Sequence, residues 1–549
     1  MADSAGSQAA GGAREMEALE RMVARARMIA GVLKNFAGNV RLVSHHDSDG
    51  VSSAAIMVSA LARDGKEFRL SFIRQLYETD IMELGREDNR LIVFLDMGSG
   101  QLGLIQEHLT KGSTRIIIID HHMMQGEVTT DDVIQLNPVE FGIDENIAGS
   151  GAAYLVARAM SPENRDLSEL AVIGAIGDSQ TGSIGPGWGL LGINKEILQD
   201  AQNTGKIRVS KGLRLWGRRA RPIHKALEYS VDPYIPGVSG SESGAVNFLH
   251  EIGIDIRDES GAWRTLSSLS EKELKRLATG IIKERIRDNR ENPDWIFGDV
   301  YDLLDKEEGL SDASEFATVL NSAGKQGMGY VGIGLCLNNK EYFAAVDGML
   351  ESYRREIGRS LRWLERNRDN FISTEHAVFI VAGNSIPENV ASNVVSIASR
   401  SADLLPEADR AKPVFIMVDN ERGETKISAR ASDGLVERGF SLQGVVSVAA
   451  AAAGGEGGGH AGAAGASIPK AGVEMSINSI EELMKKVFGI GDKESPKPEK
   501  EPPVMEAAHG RAEASGSEEG NGREQGTKGK VKAGIKKDER KGLVRYLGS

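Results

Sequence analysis

Cysteine is all but absent from this sequence: among 549 residues only Cys336 carries a thiol. A single thiol excludes a disulfide framework and a cysteine-built zinc cluster within the chain, and its place in the apolar run VGIGLCL marks it as a core residue. Long hydrophobic runs are missing as well. No stretch approaches the ~18 apolar residues of a membrane span, and the N-terminal MADSAGSQAAGGAREME lacks an apolar signal core. The expectation is a cytoplasmic protein with no membrane partner. Excess positive charge is lacking too, since 66 Lys and Arg stand against 79 Asp and Glu, for a net charge of −13. If this chain binds nucleic acid, a local basic strip must do it and not global attraction.

What is present suffices for several cores. Hydrophobic residues make up 40% of the chain, and its length predicts about three domains plus tails. Residues 1–16 are small and polar and are expected to be disordered. Residues 17–37 recur apolar at helical spacing. Strands are then expected at 40–44, 68–73, 90–96 and 115–120. They alternate with helices at 51–63 and around Leu102–Leu109, and two further helices follow at 148–160 and 167–177. Continuous Val/Ile runs between helices predict a parallel sheet with helices on both faces. The pattern loosens from about 205 to 340. There a basic stretch leads into a Pro/Gly/Ser-rich loop region, and a Ser/Glu capping signature precedes an amphipathic helix. Residues 342–370 read as a long charged connecting helix. A second α/β region begins with the strand 376–383. It runs through the helix NVASNVVSIASR and the strands PVFIMVDN and KISARAS to AAAAAGGEGGGHAGAAG (449–465) and a last helix at 478–489. Beyond about 491 Lys, Glu, Pro, Gly and Ser dominate, a composition expected to stay disordered.

The chemistry-bearing residues gather where strands end. SHHDSDG (44–50) follows the first strand, and alternate residues of an extended segment would bring His45, Asp47 and Asp49 to one side. Asp96 closes RLIVFLD, Asp120-His121-His122 closes RIIIID, and Asp178 follows an apolar helix in GAIGDSQTG. Carboxyl ends of strands in an open α/β sheet share one crevice. Aspartates clustered there would repel one another without cations, and two divalent ions resolve the repulsion. Mixed His/Asp ligation suits Mn²⁺ at least as well as Mg²⁺. His46 reads as a sheet-packing residue.

These motifs, in this order, resemble the DHH phosphoesterases, named for the triplet found here as Asp120-His121-His122. GGGHAGAAG (457–465) resembles the glycine-rich motif of the accessory DHHA1 domain, so the likeness spans roughly residues 38–470. HxDxDG and the segment RLWGRRARPIHKALEYSVDPYIPGVSGSESGA look like the archaeal RecJ-like branch, single-strand-specific exonucleases. The resemblance implies a parallel-sheet catalytic domain over 17–204, a mixed insert and connecting helix over 205–370, a smaller α/β DHHA1 substrate-binding domain over 371–490, and a disordered tail over 491–549. It also implies roles for residues. His45, Asp47 and Asp96 would hold one Mn²⁺ or Mg²⁺. Asp49, Asp96, His121 and Asp178 would hold a second, with Asp96 bridging. Asp120 would orient the histidine pair, and His122 would touch the scissile phosphate. Gly458, Gly459 and His460 would meet a phosphate in the accessory domain, with Ser428 and Arg430 as its clamp.

Arg208, Lys211, Arg214, Arg218, Arg219, Arg221 and Lys225, interleaved with Trp216 and His224, form a basic run able to contact a strand. The function expected is exonucleolytic release of nucleoside monophosphates from single-stranded DNA, or RNA, in replication or repair. A phosphodiesterase of short oligoribonucleotides or cyclic dinucleotides is the alternative enzyme. A scaffold for replication proteins of the GINS and helicase kind is the non-enzymatic reading.

Overall fold

The computed structural model describes residues 2–489 except 111–113, 144–146, 182–188, 220, 231–232, 289–291, 400–403, 407–408, 410 and 437. The tail at 491–549, expected to be disordered, lies outside the described residues. The first helix, α1 (Ala2–Asn35), begins well before residue 17. The stretch expected to be disordered carries no proline, and its Ala, Ser, Gln and Glu continue the helix that the apolar stripe of 17–35 anchors.

Strands β1 (Val40–His45), β2 (Phe68–Ile73), β3 (Leu91–Leu95), β4 (Arg115–Ile119) and β5 (Val133–Leu136) form an all-parallel sheet in the order β2-β1-β3-β4-β5. Each continuous apolar run divides itself between two faces. Leu91, Val93 and Leu95 pack with α1 and with α2 (Ser48–Arg63), while Ile92 and Phe94 pack with α3 (Glu78–Leu84) and α4 (Leu102–Leu109). The first face also takes α5 (Gly149–Met160), α6 (Ser168–Gly177) and α7 (Gly192–Asn203). β5 escaped the sequence reading because VIQL is short and carries a buried glutamine, Gln135.

The insert is narrower than expected. β6 (Ile207–Leu213) and β7 (Phe297–Leu303) pair antiparallel as a stalk. Between them α8 (Ile223–Glu228), α9 (Glu242–Glu251) and α10 (Glu271–Arg287) build their own core. The capping signature is realised at Ser270 and Glu273 ahead of α10. The helices that follow, α11 (Ala313–Lys325) and α12 (Gly329–Cys336), bury Phe316, Leu320 and Leu335 in the core of the first domain. Cys336 is buried there, and burial pushes its thiol up to about 12. The charged helix α13 (Phe343–Arg366) lends Val346 and Met349 to that core and Tyr353 and Leu364 to the next, so it is fastened at both ends.

The C-terminal domain is a six-stranded mixed sheet of order β12-β13-β11-β10-β9-β8. Its strands are β8 (Phe371–Ser373), β9 (Val378–Gly383), β10 (Val414–Asp419), β11 (Glu424–Arg430), β12 (Glu456–Gly459) and β13 (Ala463–Pro469). One face packs on α14 (Glu388–Ala398); the other packs on the helices Leu442–Ala452 and Val473–Gly489. Among the described residues no helix is long and apolar enough to cross a membrane.

Candidate metal centre and phosphate cleft

β1 ends at His45, and the chain turns at once into α2, so the HxDxDG residues do not lie along one extended segment as the sequence suggested. Asp47 is the N-cap of α2 and accepts from the Gly50 amide at 3.0 Å, which starts the helix and leaves Asp49 in its first turn. Convergence comes from the cap, not from strand alternation. Gly50 passes so close to the strand exit that a Cβ would overlap the His45 carbonyl. Asp96 follows β3 with φ 58, a left-handed conformation that a side-chain-bearing residue holds only under constraint. Its amide donates to Ile119 at 2.8 Å, which seats it between β1 and β4.

Around Asp96 the side chains meet. His45 Nδ1 lies 3.1 Å from Asp47 Oδ2 and 3.3 Å from Asp96 Oδ2. His121 Nε2 lies 3.3 Å from Asp96 Oδ1, 3.6 Å from Asp178 Oδ2 and 3.7 Å from Asp49 Oδ2. Asp49 accepts from the first amides of α5, Gly149 at 2.7 Å and Ser150 at 3.0 Å. Asp178 caps the C-terminus of α6. Asp120 accepts from the amides of Ser99, His121 and His122 and from His122 Nδ1 at 2.8 Å. It therefore orients the His122 ring, whereas of His121 it holds only the backbone.

The electrostatics mark a site that wants cations. Burial, and then the charge of Asp96, push the Asp49 carboxyl well above the usual range; burial likewise raises Asp178, against the pull of His121. Burial would lower His121, yet Asp178, Asp96 and Asp49 outweigh it and raise the imidazole well above its ordinary value. His45 is raised in the same way by Asp47 and Asp96, against burial. Asp96 Oδ1 and His121 Nε2 are buried with no hydrogen-bond partner. Ligand atoms fall into three groups, each within 4.8 Å: His45, Asp47 and Asp96; Asp96, His121 and His122; and Asp49, His121 and Asp178. A Cβ on Gly149 would stand 2.7 Å from Asp96 Oδ1, and one on Gly174 2.5 Å from Asp49 Oδ1. Oxygen and imidazole donors with orphaned atoms at their focus fit a divalent cation such as Mn²⁺ or Mg²⁺.

The second domain faces this centre. His460 sits in the turn from β12 to β13, its ring centroid 5.8 Å from that of His122 and 6.1 Å from that of His121. Ser428, Gly465 and Gly458 form one cross-strand row. Gly457 and Gly459 face the other way, where a Cβ would press on Val446 and Ala463 backbone. Around Gly458 nothing lies within 4 Å of a Cβ, so the row is a smooth trough. Beside it a polar cavity of about 250 Å³ joins His45, His46 and Asp47 to Lys325, Lys426 and Arg430. Lys325 on α11, with Arg74 and Asn321, was missed because nothing in the surrounding sequence marks these residues out; Lys426, two residues before Ser428 in KISARAS, could have been found from that strand's alternation. His46, read as a packing residue, lines this cavity with its buried Nδ1 unpaired.

Part of the basic run is taken up within the fold. Arg218 pairs with Asp302 and Asp312, each at 3.1 Å, and Arg219 with Asp302 at 3.0 Å. Trp216 donates to Thr318 and stacks under Arg221 at 3.7 Å, and His224 is buried. Arg218 and Arg219, expected to touch substrate, instead lock the stalk of the insert to β7 and α11. Two buried acids, invisible as partners in sequence, take up their charge.

Three family models match the chain: the DHH family N-terminal domain over residues 39–177, the DHH-CID domain over 215–294 and the DHHA1 domain over 378–489. An uncharacterized protein of Methanocaldococcus jannaschii is 31% identical over 486 residues, which span 86% of this chain and 98% of that one. Among solved structures, RecJ of Thermus thermophilus in complex with Mn²⁺ superposes with a TM-score of 0.50 at 16% identity, over 84% of this chain and 55% of its own. The chain thus spans about half the length of that protein. Cdc45 of Entamoeba histolytica superposes with a TM-score of 0.54 at 12% identity, over 86% of this chain and 99% of its own. At these identities the two structures share the fold.

Proposed function

Because this chain belongs to the DHH superfamily, with DHH, DHH-CID and DHHA1 domains, and is RecJ-like in fold, we propose that it is a metal-dependent phosphodiesterase that releases nucleoside monophosphates from single-stranded DNA or RNA. The observation that carries this reading is the facing of two surfaces. A focus of His and Asp side chains on one domain opposes the Ser428, Gly465 and Gly458 row and His460 of the other, and Lys325, Lys426 and Arg430 line the cavity between them.

His45, Asp47 and Asp96 would hold one cation, and Asp49, Asp96, His121 and Asp178 the other. When bound, such ions supply an activated water at neutral pH and neutralise phosphoryl oxygens. The chain's own residues then position the substrate. His122, its Nδ1 tied to Asp120, is half-buried and turns its other nitrogen to a phosphoryl oxygen. His460 donates from across the cleft. Lys325, Lys426 and Arg430 take a neighbouring phosphate in the adjoining cavity. Ser428, beside Arg430, and Gly458 floor the path of the strand, and Gly459, at the turn, holds His460 beside it. At Gly458 the row offers a strand a path free of side-chain obstruction.

End-labelled DNA and RNA single strands, incubated with the protein and Mn²⁺, should yield mononucleotides. Lack of release from both sinks the proposal. Faster turnover of a dinucleotide than of a long strand would assign the short-oligonucleotide activity instead. The insert has its own core and is joined through the β6–β7 pair. A scaffold role would reside there, and would persist when Asp49→Ala/Asp178→Ala abolishes cleavage.

A further inference from the structure

One polar group beside the metal centre has no part in the chemistry above, the carboxamide of Gln180. Its Nε2 lies 2.8 Å from Asp178 Oδ2 and 3.3 Å from His121 Nδ1, and its Oε1 accepts from Asn194 Nδ2 at 2.7 Å. Asn194, on α7, is buried, and its Oδ1 in turn accepts from the Ala148 amide at 3.4 Å. Ala148 is the N-cap of α5, whose next two amides hold Asp49. One hydrogen-bonded chain therefore reaches Asp49, His121 and Asp178, whose ligand atoms come within 4.8 Å of one another. Ser179, between Asp178 and Gln180, has φ 62, a costly backbone conformation that sends both side chains toward His121. We propose that Gln180, braced by Asn194, is a positioning residue that fixes the His121 ring and the Asp178 carboxylate for cation binding.

The geometry assigns the two nitrogens of His121 distinct tasks. Nε2 faces Asp49, Asp96 and Asp178 and has no hydrogen-bond partner, so it is the ligating atom. An imidazole that ligates through Nε2 carries its hydrogen on Nδ1 and needs an acceptor there. Gln180 stands at that position: as placed it turns its NH₂ there and to Asp178 Oδ2 and the Ile147 carbonyl, and a half-turn in concert with Asn194 brings Oε1 to Nδ1–H once the cation, and no longer that NH₂, holds Asp178. Asp120 cannot serve, because its side chain meets the His122 ring and only the amide of His121. The two histidines of the triplet are thus oriented by different residues: His122 by Asp120 and His121 by Gln180.

This assignment rests on the metal reading of the site, so the test reads Mn²⁺ binding directly, by electron paramagnetic resonance of free Mn²⁺ titrated into the full chain. Gln180→Leu keeps the bulk and removes the hydrogen bonds; it should weaken binding roughly 10- to 100-fold, as loss of such outer support does. Gln180→Glu keeps an acceptor for Nδ1–H and should recover most of that loss. Asn194→Ala should weaken binding in the same direction by less, and combined with Gln180→Leu it should add nothing. Circular dichroism verifies that each variant folds. Binding by Gln180→Leu indistinguishable from wild type overturns the assignment, as does an equal loss in the Leu and Glu variants. A wild-type chain that binds no Mn²⁺ sinks the metal reading itself, and this assignment with it, before any variant is compared.

Discussion

Asp120 lends its name to a family and yet lies behind the ligands, a carboxylate fully enclosed by the amides of Ser99, His121 and His122 and by the His122 ring. Burial alone would raise its pKa. The charge and hydrogen bond of His122, then His121 and the Ser99 amide, outweigh burial and hold it below the usual carboxylate range. In acid the unfolded chain therefore takes the proton first. The stability Asp120 contributes is complete above about pH 5 and is lost as pH falls through the unfolded value of about 3.9 toward the lower folded one. Asp120→Asn sets an NH₂ against one of those donors. It is expected to cost about 2–4 kcal/mol, to lower kcat more than Mn²⁺ affinity, and to flatten the acid limb of urea-unfolding midpoints. Gly174 tests the site by volume. Its alanine would press on Asp49 Oδ1 and overlap Ser150 Oγ, so Gly174→Ala should lose Mn²⁺ binding and stability together. Gly103→Ala, on α4 with nothing within 4 Å, should do neither.

Among the elements, the stalk β6–β7 shows how a charged run acquires a structural task. Asp302 is buried on β7 and gathers Arg208, Arg218 and Arg219 at 3.4, 3.1 and 3.0 Å. Burial opposes its ionisation, but the hydrogen bond of Arg219 and the charge of Arg218 prevail and hold its pKa below the ordinary value. Removing the hub leaves the part-buried guanidinium of Arg219 without its acid and that of Arg218 with Asp312 alone. Asp302→Ala is expected to destabilise the protein by about 3–5 kcal/mol, read as a lower thermal midpoint, while KM for a single strand stays unchanged. A raised KM with an unaltered midpoint would return the run to strand binding. β5 has a comparable hidden duty. Gln135 and, just beyond the strand, Asn137 bond Ser99 Oγ at 2.9 and 2.8 Å. Asn137 also holds the His122 carbonyl at 2.8 Å, so this short strand braces the loop that feeds Asp120.

For the whole molecule, the cleft depends on how the two halves are joined. α13 is shared between their cores. Polar ties close the rest: Lys325 to Asn393 at 2.8 Å, Arg422 to Asp80 at 3.1 Å and Arg74 to Glu388 at 3.5 Å. The two ion pairs, each with an exposed arginine, are worth at most about 1 kcal/mol apiece, so the apolar sharing sets the separation and the ion pairs tune it. Lys325 is enclosed where the halves meet, and burial brings its ammonium down to about 8. It is cationic below that pH and loses its charge above it. KM for a single strand is therefore expected to rise as pH increases through about 8, and Lys325→Arg, whose guanidinium stays charged, should remove that rise. A pH-independent KM in the wild type would take Lys325 out of substrate binding.

The order of residues was enough to read the elements and the chemistry at their ends. Val/Ile runs wrote the parallel strands, and the acids and imidazoles at His45, Asp47, Asp49, Asp96, Asp120, His121, His122 and Asp178 stood out because they recur together at the ends of several apolar elements. It said less where helix continues a polar stretch, as in α1, or where a strand is four residues long, as in β5. Which charges are spent within the fold and which face the cleft was settled by packing in three dimensions. Arg218 and Arg219 were bound by Asp302 and Asp312, whereas Lys325, which carries no motif, was carried to the site, and Lys426 and Gln180 took their tasks from what folding set beside them. Periodicity and end-residues are local along the chain, while partnership between side chains is a property of distance in space, and that distance exists only once the chain has folded.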